Sequence, residues 1–442
     1  MKKETILNVG FDDTDSPKGM CTTFLAYKIV DLLHKQKTEF LDFPRLIRFN
    51  PNIPWKTRGN GAVSIKIRTK NPSKVKNQII NLVSKYSDTK NGANPGLVFF
   101  ESDFIPSEFV KFSNLALWQL INRNNAKKFA KKNNLEFFYK GNGQGLVGAI
   151  GAIGYNFNDH TLELLSYRKR SKFGKERKIS AKSVKIMQEK TFPNTFNSFD
   201  IKKRRILITP HGPDPVFYGV RGENVDSLLY ATKILKSEEK LDGYMIFKSN
   251  QGTGDHLKNE LNFENMLPYA SGKITGIVSN NPKIVKGGHV FFKINSNNHD
   301  FWCAVYKETG ITTIASNLIK GDKLCVGGGV RKASKNFPRI INLEFIEIIN
   351  LEKNISMSNP FCKKCNKKMK SKGKNQGFQC IRCGKKEMSK ITTEISRKIK
   401  KQLYVPKTSA HRHLTRPLQR MGRINKSTKF DKSLSWFCVY RK

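Results

Sequence analysis

Gly10-Phe11-Asp12-Asp13-Thr14-Asp15-Ser16-Pro17-Lys18-Gly19-Met20-Cys21-Thr22-Thr23 follows directly on the apolar run Ile6-Leu7-Asn8-Val9. The run reads as a buried strand over residues 5–11. The residues after the turn read as a helix over 22–35, with Leu25, Ile29, Leu32 and Leu33 on one face. Three carboxylates within four residues at a strand end repel one another unless a cation lies between them. Magnesium takes oxygen ligands and arrives with phosphates, so Asp12, Asp13 and Asp15 are read as a metal-phosphate site. Thr22 and Thr23 stand where the helix starts. A hydroxyl there either caps free backbone N–H groups or lies beside a phosphate at the helix N-terminus.

The chain of 442 residues carries 81 Lys and Arg against 35 Asp and Glu, a net charge of +46. Such an excess points to a polyanionic partner, and nucleic acid is the expected one. The N-terminus enters a strand at once and no apolar run reaches membrane length, so neither a signal peptide nor a span is expected. Four of the eight cysteines are clustered and the others scattered, which favours a reducing cytoplasm over a disulfide framework.

Residues 43–62 contain Phe43-Pro44-Arg45-Leu46-Ile47-Arg48-Phe49-Asn50-Pro51 and the basic turn Trp55-Lys56-Thr57-Arg58-Gly59-Asn60-Gly61-Ala62. Lys56 and Arg58 can neutralise phosphate, and Gly59 lets backbone approach a ligand. The segment Gly141–Gly151 is read as a strand-like run, followed by strands at Thr161–Arg168 and Arg205–Thr209, the turn His211–Pro215, and Val216–Glu223. A helix at 224–236 and a strand at Tyr244–Lys248 complete a small α+β sandwich. Tyr218 and Arg221 are pocket candidates, and His256 is read as a structural loop histidine.

Five short alternating strands between Gly272 and Ile349 read as an OB-type barrel. Cys362-x-x-Cys365 and Cys380-x-x-Cys383, fourteen residues apart, are two zinc knuckles, giving a closed structural Zn2+ site. The Lys-rich loop between them suits phosphate contact, and the basic stretch from 389 reads as an RNA-contacting extension.

Taken in order, the acidic cluster, the Phe43–Ala62 stretch, Gly145–Arg168, Val216–Glu223, the barrel and the ribbon resemble the archaeal tRNA-Ile 2-agmatinylcytidine synthetase family (TiaS). The resemblance implies a multidomain α+β enzyme. Its parts would be a kinase-like catalytic domain (1–140), a ferredoxin-like domain (141–265), an OB-fold (266–352), a zinc ribbon (356–388) and a basic extension (389–442). It implies a cytoplasmic ligase that uses ATP and Mg2+ to join agmatine to C2 of the wobble cytidine, position 34, of CAU-anticodon tRNA-Ile. The tRNA then reads AUA, and ATP ends as AMP and two phosphates. On this resemblance Asp12, Asp13 and Asp15 ligate magnesium, and Thr22 is the threonine phosphorylated during ATP cleavage. Lys56, Arg58 and Gly59 belong to the nucleotide pocket, with Tyr218 and Arg221 on the active-site face. No protein partner is implied. The turn at His211–Pro215 has no matching counterpart, and the stretch after Met421 reads as a lineage-specific extension. A rival reading is a non-catalytic OB and zinc-ribbon RNA-binding protein, which leaves the aspartates idle. A ligase-type adenylyltransferase is a second rival, and it would need a nucleophilic lysine in a KxDG-like setting.

Overall fold

The computed structural model describes residues 4–335, 337–426 and 430–440. Strand β1 (Thr5–Asp12) alternates: Leu7, Val9 and Phe11 enter the main core, whereas Asn8, Gly10 and Asp12 face the other way. It pairs antiparallel with β4 (Gly61–Thr69) and β5 (Gly96–Glu101). The remaining strands of this sheet are β2 (Glu39–Phe40), β3 (Arg45–Arg48), β6 (Glu136–Tyr139), β7 (Thr161–Arg168) and β8 (Thr195–Phe196). The pair β9 (Phe199–Asp200) and β10 (Arg205–Ile206) stands apart, and β11 (Val216–Gly222) and β12 (Leu241–Ser249) rejoin the sheet. Its order is β6-β5-β1-β4-β3-β12-β7-β11-β8, with β2 on β4 and Phe437–Val439 on β12. The parallel β3–β12 contact, Lys248 opposite Arg45, makes one continuous sheet of the first 250 residues.

Helices α1 (Thr22–Lys35) and α2 (Pro72–Tyr86) cover the face that carries Leu7 and Val9. Helices α3 (Ser107–Trp118), α4 (Arg123–Lys132) and α5 (Leu146–Gly154) cover the opposite face of the first strands, around Val98, Phe109 and Ile150. Helices α6 (Ala181–Thr191) and α7 (Val225–Ile234) join the main core through Val184, Met187 and Leu228. The segment expected as strand-like within Gly141–Gly151 is helical from Leu146. A continuous apolar run carries no period that separates a buried helix from a buried strand. Its small residues serve close packing. A Cβ on Gly10 would lie 2.1 Å from Ala149 O, and one on Gly148 would lie 2.0 Å from Asp12 Oδ2. The expected strand Arg205–Thr209 is cut to two paired residues.

The chain divides into two compact units. The first contains Met1–Lys273, Gly327–Glu344 and Val405–Lys442, so the basic C-terminal segment folds back into it. This segment contributes the fully buried Arg420 and the buried Leu414 and Trp436. Trp436 stands among Phe40, Phe43 and Phe430.

The second unit contains Ile274–Val326 and Phe345–Tyr404. The five barrel strands are at the expected places: β13 (Ser271–Val278), β15 (Val290–Ser296), β16 (His299–Val305), β17 (Lys323–Arg331) and β18 (Ile340–Asn350). The two-residue β14 (Lys283–Ile284) lies on the edge. A β13–β15 pairing, Ile277 opposite Asn295, closes the ring. Phe292 and Phe301 are buried in its core, while Trp302 is half-buried under the Lys293 ammonium. Beyond the barrel, small hairpins carry the cysteines, and the sulfurs of Cys362, Cys365, Cys380 and Cys383 all lie within 4.8 Å of one another. Among the described residues no helix is long and apolar enough to cross a membrane.

Candidate active site

A cleft of about 940 Å³ opens in the first unit above the end of β1. Asp12 closes that strand beneath α5, where Gly148 leaves room for its carboxylate. Asp13 follows at φ 55°, in the left-handed region that short polar residues tolerate, and Met20 at φ 61° ends the turn. The three aspartates line one wall together with Thr22. Burial, and then the neighbouring Asp13 and Asp15 charges, push Asp12 well above the usual carboxylate range. Asp13 is pushed up to about 7 by burial and by Asp15. Burial also raises Asp15, against the pull of Arg58. A carboxyl whose pKa rises on folding loses stability as pH climbs from its ordinary value towards the raised one. The cluster therefore strains the fold at neutral pH, and a divalent cation among the oxygens would relieve that strain. Three hard oxygen donors suit Mg2+.

Thr22 is the first residue of α1, and Cys21 takes the cap position with no side-chain bond, so the capping role expected for a hydroxyl here is not used. The Thr22 hydroxyl is instead buried, accepting from Thr14 Oγ1 at 3.0 Å and donating to Asp15 Oδ1 at 3.5 Å. Thr23 also lines the cleft, with its hydroxyl 3.1 Å from Cys21 Sγ.

Arg58 reaches the cleft but is largely committed to the acidic turn. It donates to Met20 O at 2.9 Å and Ser16 O at 3.1 Å, and stands 3.5 Å from Asp15 and 3.7 Å from Asp214. It thus ties the Ser16–Met20 turn down ahead of Thr22. Lys56 lines the cleft, its ammonium 3.3 Å from Ile53 O and its pKa lowered by burial and by Arg412. Gly59 is needed for side chains: a Cβ there would lie 2.7 Å from Arg48 Nη1 and from the His413 ring. Tyr218 is not brought to the cleft. It is buried beside Phe217 in the main core, whereas Gly219 and Arg221 of the same strand line the cleft. Arg221 is brought there, opposite Glu163 across the β11–β7 register, with Nε 3.3 Å from Glu163 Oε1.

Several cleft residues escaped the sequence reading. Glu163 is the one acid in the fully buried strand β7, which is itself a signal. It accepts from Gln251 Nε2 and lies 3.7 Å from Arg48 Nη2. Asp214 orders the His211–Pro215 turn together with Arg177, whose guanidinium donates to the carbonyls of Pro210, Gly212 and Asp214. Burial raises Asp214 against the pull of Arg58 and Arg177. His211 lines the cleft beside Arg205, with the two nitrogens 2.5 Å apart. His411, Arg412 and His413 arrive from the C-terminal segment. His256 is fully buried and 2.9 Å from Glu344, in keeping with a structural role.

The cysteine cluster fits a zinc ion. Four sulfurs around a zinc ion at ordinary Zn–S lengths stand about 3.8 Å apart, and Cys362 and Cys383 are already at 3.5 Å.

The cleft thus sets carboxylates and a buried threonine against arginines and histidines, an arrangement for clamping and transferring phosphate. Comparison with known proteins agrees. The family models described as the TiaS TCKD domain, the TiaS FLD domain and the TiaS C-terminal zinc ribbon domain match residues 8–142, 143–256 and 359–399. The 2-agmatinylcytidine synthetase TiaS of Cenarchaeum symbiosum, named for an isoleucine tRNA, is 47% identical over 436 residues, 99% of this chain and 97% of its own. The synthetase of the same name from Thermococcus sibiricus is 38% identical over 423 residues, 93% of this chain and 95% of its own. The solved structure of a TiaS complex with its isoleucine tRNA and ATP superposes with a TM-score of 0.85 at 33% identity, covering 97% of this chain and all of that one. A TiaS complex with the same tRNA, AMPCPP and agmatine gives 0.83 at 31% identity, with the same coverage. On this combined ground of fold, cleft and full-length similarity, the chain belongs to the TiaS family.

Proposed function

We propose that this cleft is the reaction site of an ATP-dependent ligase that joins agmatine to C2 of the wobble cytidine of the CAU-anticodon isoleucine tRNA. The observation that carries the reading is the convergence of Asp12, Asp13 and Asp15 with the buried Thr22 hydroxyl on one wall of a single cleft. The relatives named above are synthetases of this kind, and two of the similar structures are complexes with an isoleucine tRNA and a nucleotide, one of them with agmatine.

The base oxygen at C2 is a poor leaving group, and a phosphate on it corrects that. Asp12, Asp13 and Asp15 would hold Mg2+, which when bound offsets the charge of the triphosphate. Thr22 sits at the start of α1, where backbone amides and the helix dipole favour an anion, and its hydroxyl already faces Asp15. Arg58 fixes the turn that carries these groups, and Lys56 and Arg221 supply positive charge in the same cleft. The target cytidine must leave the anticodon stack to reach them. Agmatine, a dication, needs carboxylates or aromatic faces in the same space.

In the second unit, Cys362, Cys365, Cys380 and Cys383 would hold Zn2+ in a closed structural site. The lysines around them, with the barrel, would grip the tRNA through phosphates, so affinity falls steeply with salt. The CAU anticodon as the determinant, AUA decoding, the release of AMP and two phosphates, and a cytoplasmic location belong to the same reading. Incubating the chain with labelled ATP, agmatine and a transcript of this tRNA, then separating nucleotides and digesting the tRNA for mass spectrometry, tests it. Agmatidine at position 34 with AMP is the expected result. An unmodified cytidine with intact ATP would end the reading.

A further inference from the structure

The C-terminal segment crosses the first unit as a strap and is held from His413 onward. Gly252 N donates to His413 O at 2.9 Å, and Gly254 N donates to Leu414 O at 2.8 Å. Further along, Arg416 donates to Thr253 O and to Asp159. Arg420, fully buried, binds Asp159 Oδ1 at 3.0 Å and Glu223 Oε1 at 2.6 Å, and donates to Gly252 O at 2.7 Å. A buried guanidinium shared by two carboxylates fixes a backbone far more firmly than an exposed pair does.

This anchoring gives the His413 ring one defined place. Its Nδ1 lies 2.8 Å from Arg221 Nη2 and 2.8 Å from Gln251 Oε1. Nδ1 can hydrogen-bond only one of them at a time. In the tautomer with the ring proton on Nε2, Nδ1 accepts from Arg221 Nη2. Burial and the Arg48 and Arg221 charges keep the imidazole neutral. Arg221 is then gripped twice, by Glu163 through Nε and by His413 through Nη2. Its Nη1 has no protein partner among the described residues.

We propose that His413 is a positioning residue: through its Nδ1 lone pair, the strap fixes the Arg221 guanidinium so that Nη1 is held ready for an anionic oxygen in the cleft. The inference rests on the reading of the cleft as the phosphoryl-transfer site. Arg221 would otherwise swing about its single contact with Glu163 and have to reorient during the reaction.

The test compares His413→Asn, His413→Gln and His413→Ala in the full chain, with Asp12→Asn alongside, following agmatidine formation with ATP, agmatine and the isoleucine tRNA transcript. An asparagine oxygen occupies roughly the place of Nδ1, whereas glutamine reaches the place of Nε2. His413→Asn should keep kcat within about threefold. His413→Gln and His413→Ala should lose about ten- to a hundredfold in kcat, the weight of a hydrogen bond to a charged group, with KM for tRNA and melting temperature unchanged. If His413→Ala melts several degrees early, His413→Phe, which keeps the ring volume, takes its place. Wild-type kcat in His413→Ala or its replacement, or a loss in His413→Asn equal to that in His413→Ala, overturns the proposal. Wild-type turnover in Asp12→Asn would instead overturn the reading of the cleft, whatever the His413 variants do.

Discussion

The aspartate cleft and the cysteine cluster are both groups of side chains suited to a metal, and they are built in opposite ways. The cysteines lie within 22 residues, on hairpins of two-residue strands, over a core of little more than Met369 and Phe378. The aspartates stand on a sheet whose two faces are already packed by helices, and their neighbours come from residue 48 to residue 413. In the ribbon a zinc ion held by the four sulfurs would stand in for a hydrophobic core. In the cleft the core is complete and holds repelling carboxylates in place, so the fold bears the strain of the site before any ligand arrives.

The sharpest way to break this comparison is to remove a charge from the cleft. Asp12→Asn or Asp13→Asn should cut AMP formation by about a thousandfold or more, with tRNA affinity in a filter assay close to wild type. The same Asp13→Asn chain should melt higher than wild type at pH 8. Its folded pKa of about 7 lies above the ordinary value, so the native aspartate is destabilising there and the amide is not. A lower melting temperature would mean that the cluster does not strain the fold.

Thr22→Ala should abolish transfer of label from γ-labelled ATP to the protein and depress agmatidine formation by about a hundredfold. Undiminished labelling would reduce Thr22 to a buried partner of Thr14 and Asp15.

The opposite construction of the ribbon predicts the opposite response. Cys362→Ser, or zinc removal by a chelator, should unfold residues 359–399 and weaken tRNA binding about tenfold or more. KM for ATP and the main melting transition should stay put. A shift of the main transition would show that the ribbon is not independent of the sheet.

The smallest effect concerns Glu344, buried beside His256 and Arg412. Burial alone would raise its pKa, but His256 and Arg412 hold it at about 2. Its depressed value contributes stability above pH 4.5 that is lost as pH falls towards 2. Glu344→Gln should flatten the loss of melting temperature in that window, and an unchanged acid limb would remove Glu344 from the account.

Much of this molecule was legible along the chain because the signals are local. The alternation in β1, the face of α1, the five barrel strands and the paired knuckles each depend on neighbours a few residues away. The density of aspartates in Asp12–Asp15 marked the site for the same reason. Tyr218 and α5 misled the reading because an apolar run or a conspicuous tyrosine does not say which side of a sheet it will face.

By itself the sequence determined the acidic turn, the helix that follows it, the barrel, the paired cysteine knuckles and the overall positive charge. Only the tertiary structure decided that Arg58 is bound to the carbonyls of the acidic turn, that Glu163 and Asp214 join the cleft, and that a basic terminus supplies a half-buried histidine to Arg221. The physical reason is separation along the chain. Residues 163, 221 and 413 share no period or spacing, and they become neighbours only when strand register and the buried Arg420 clamp bring them together.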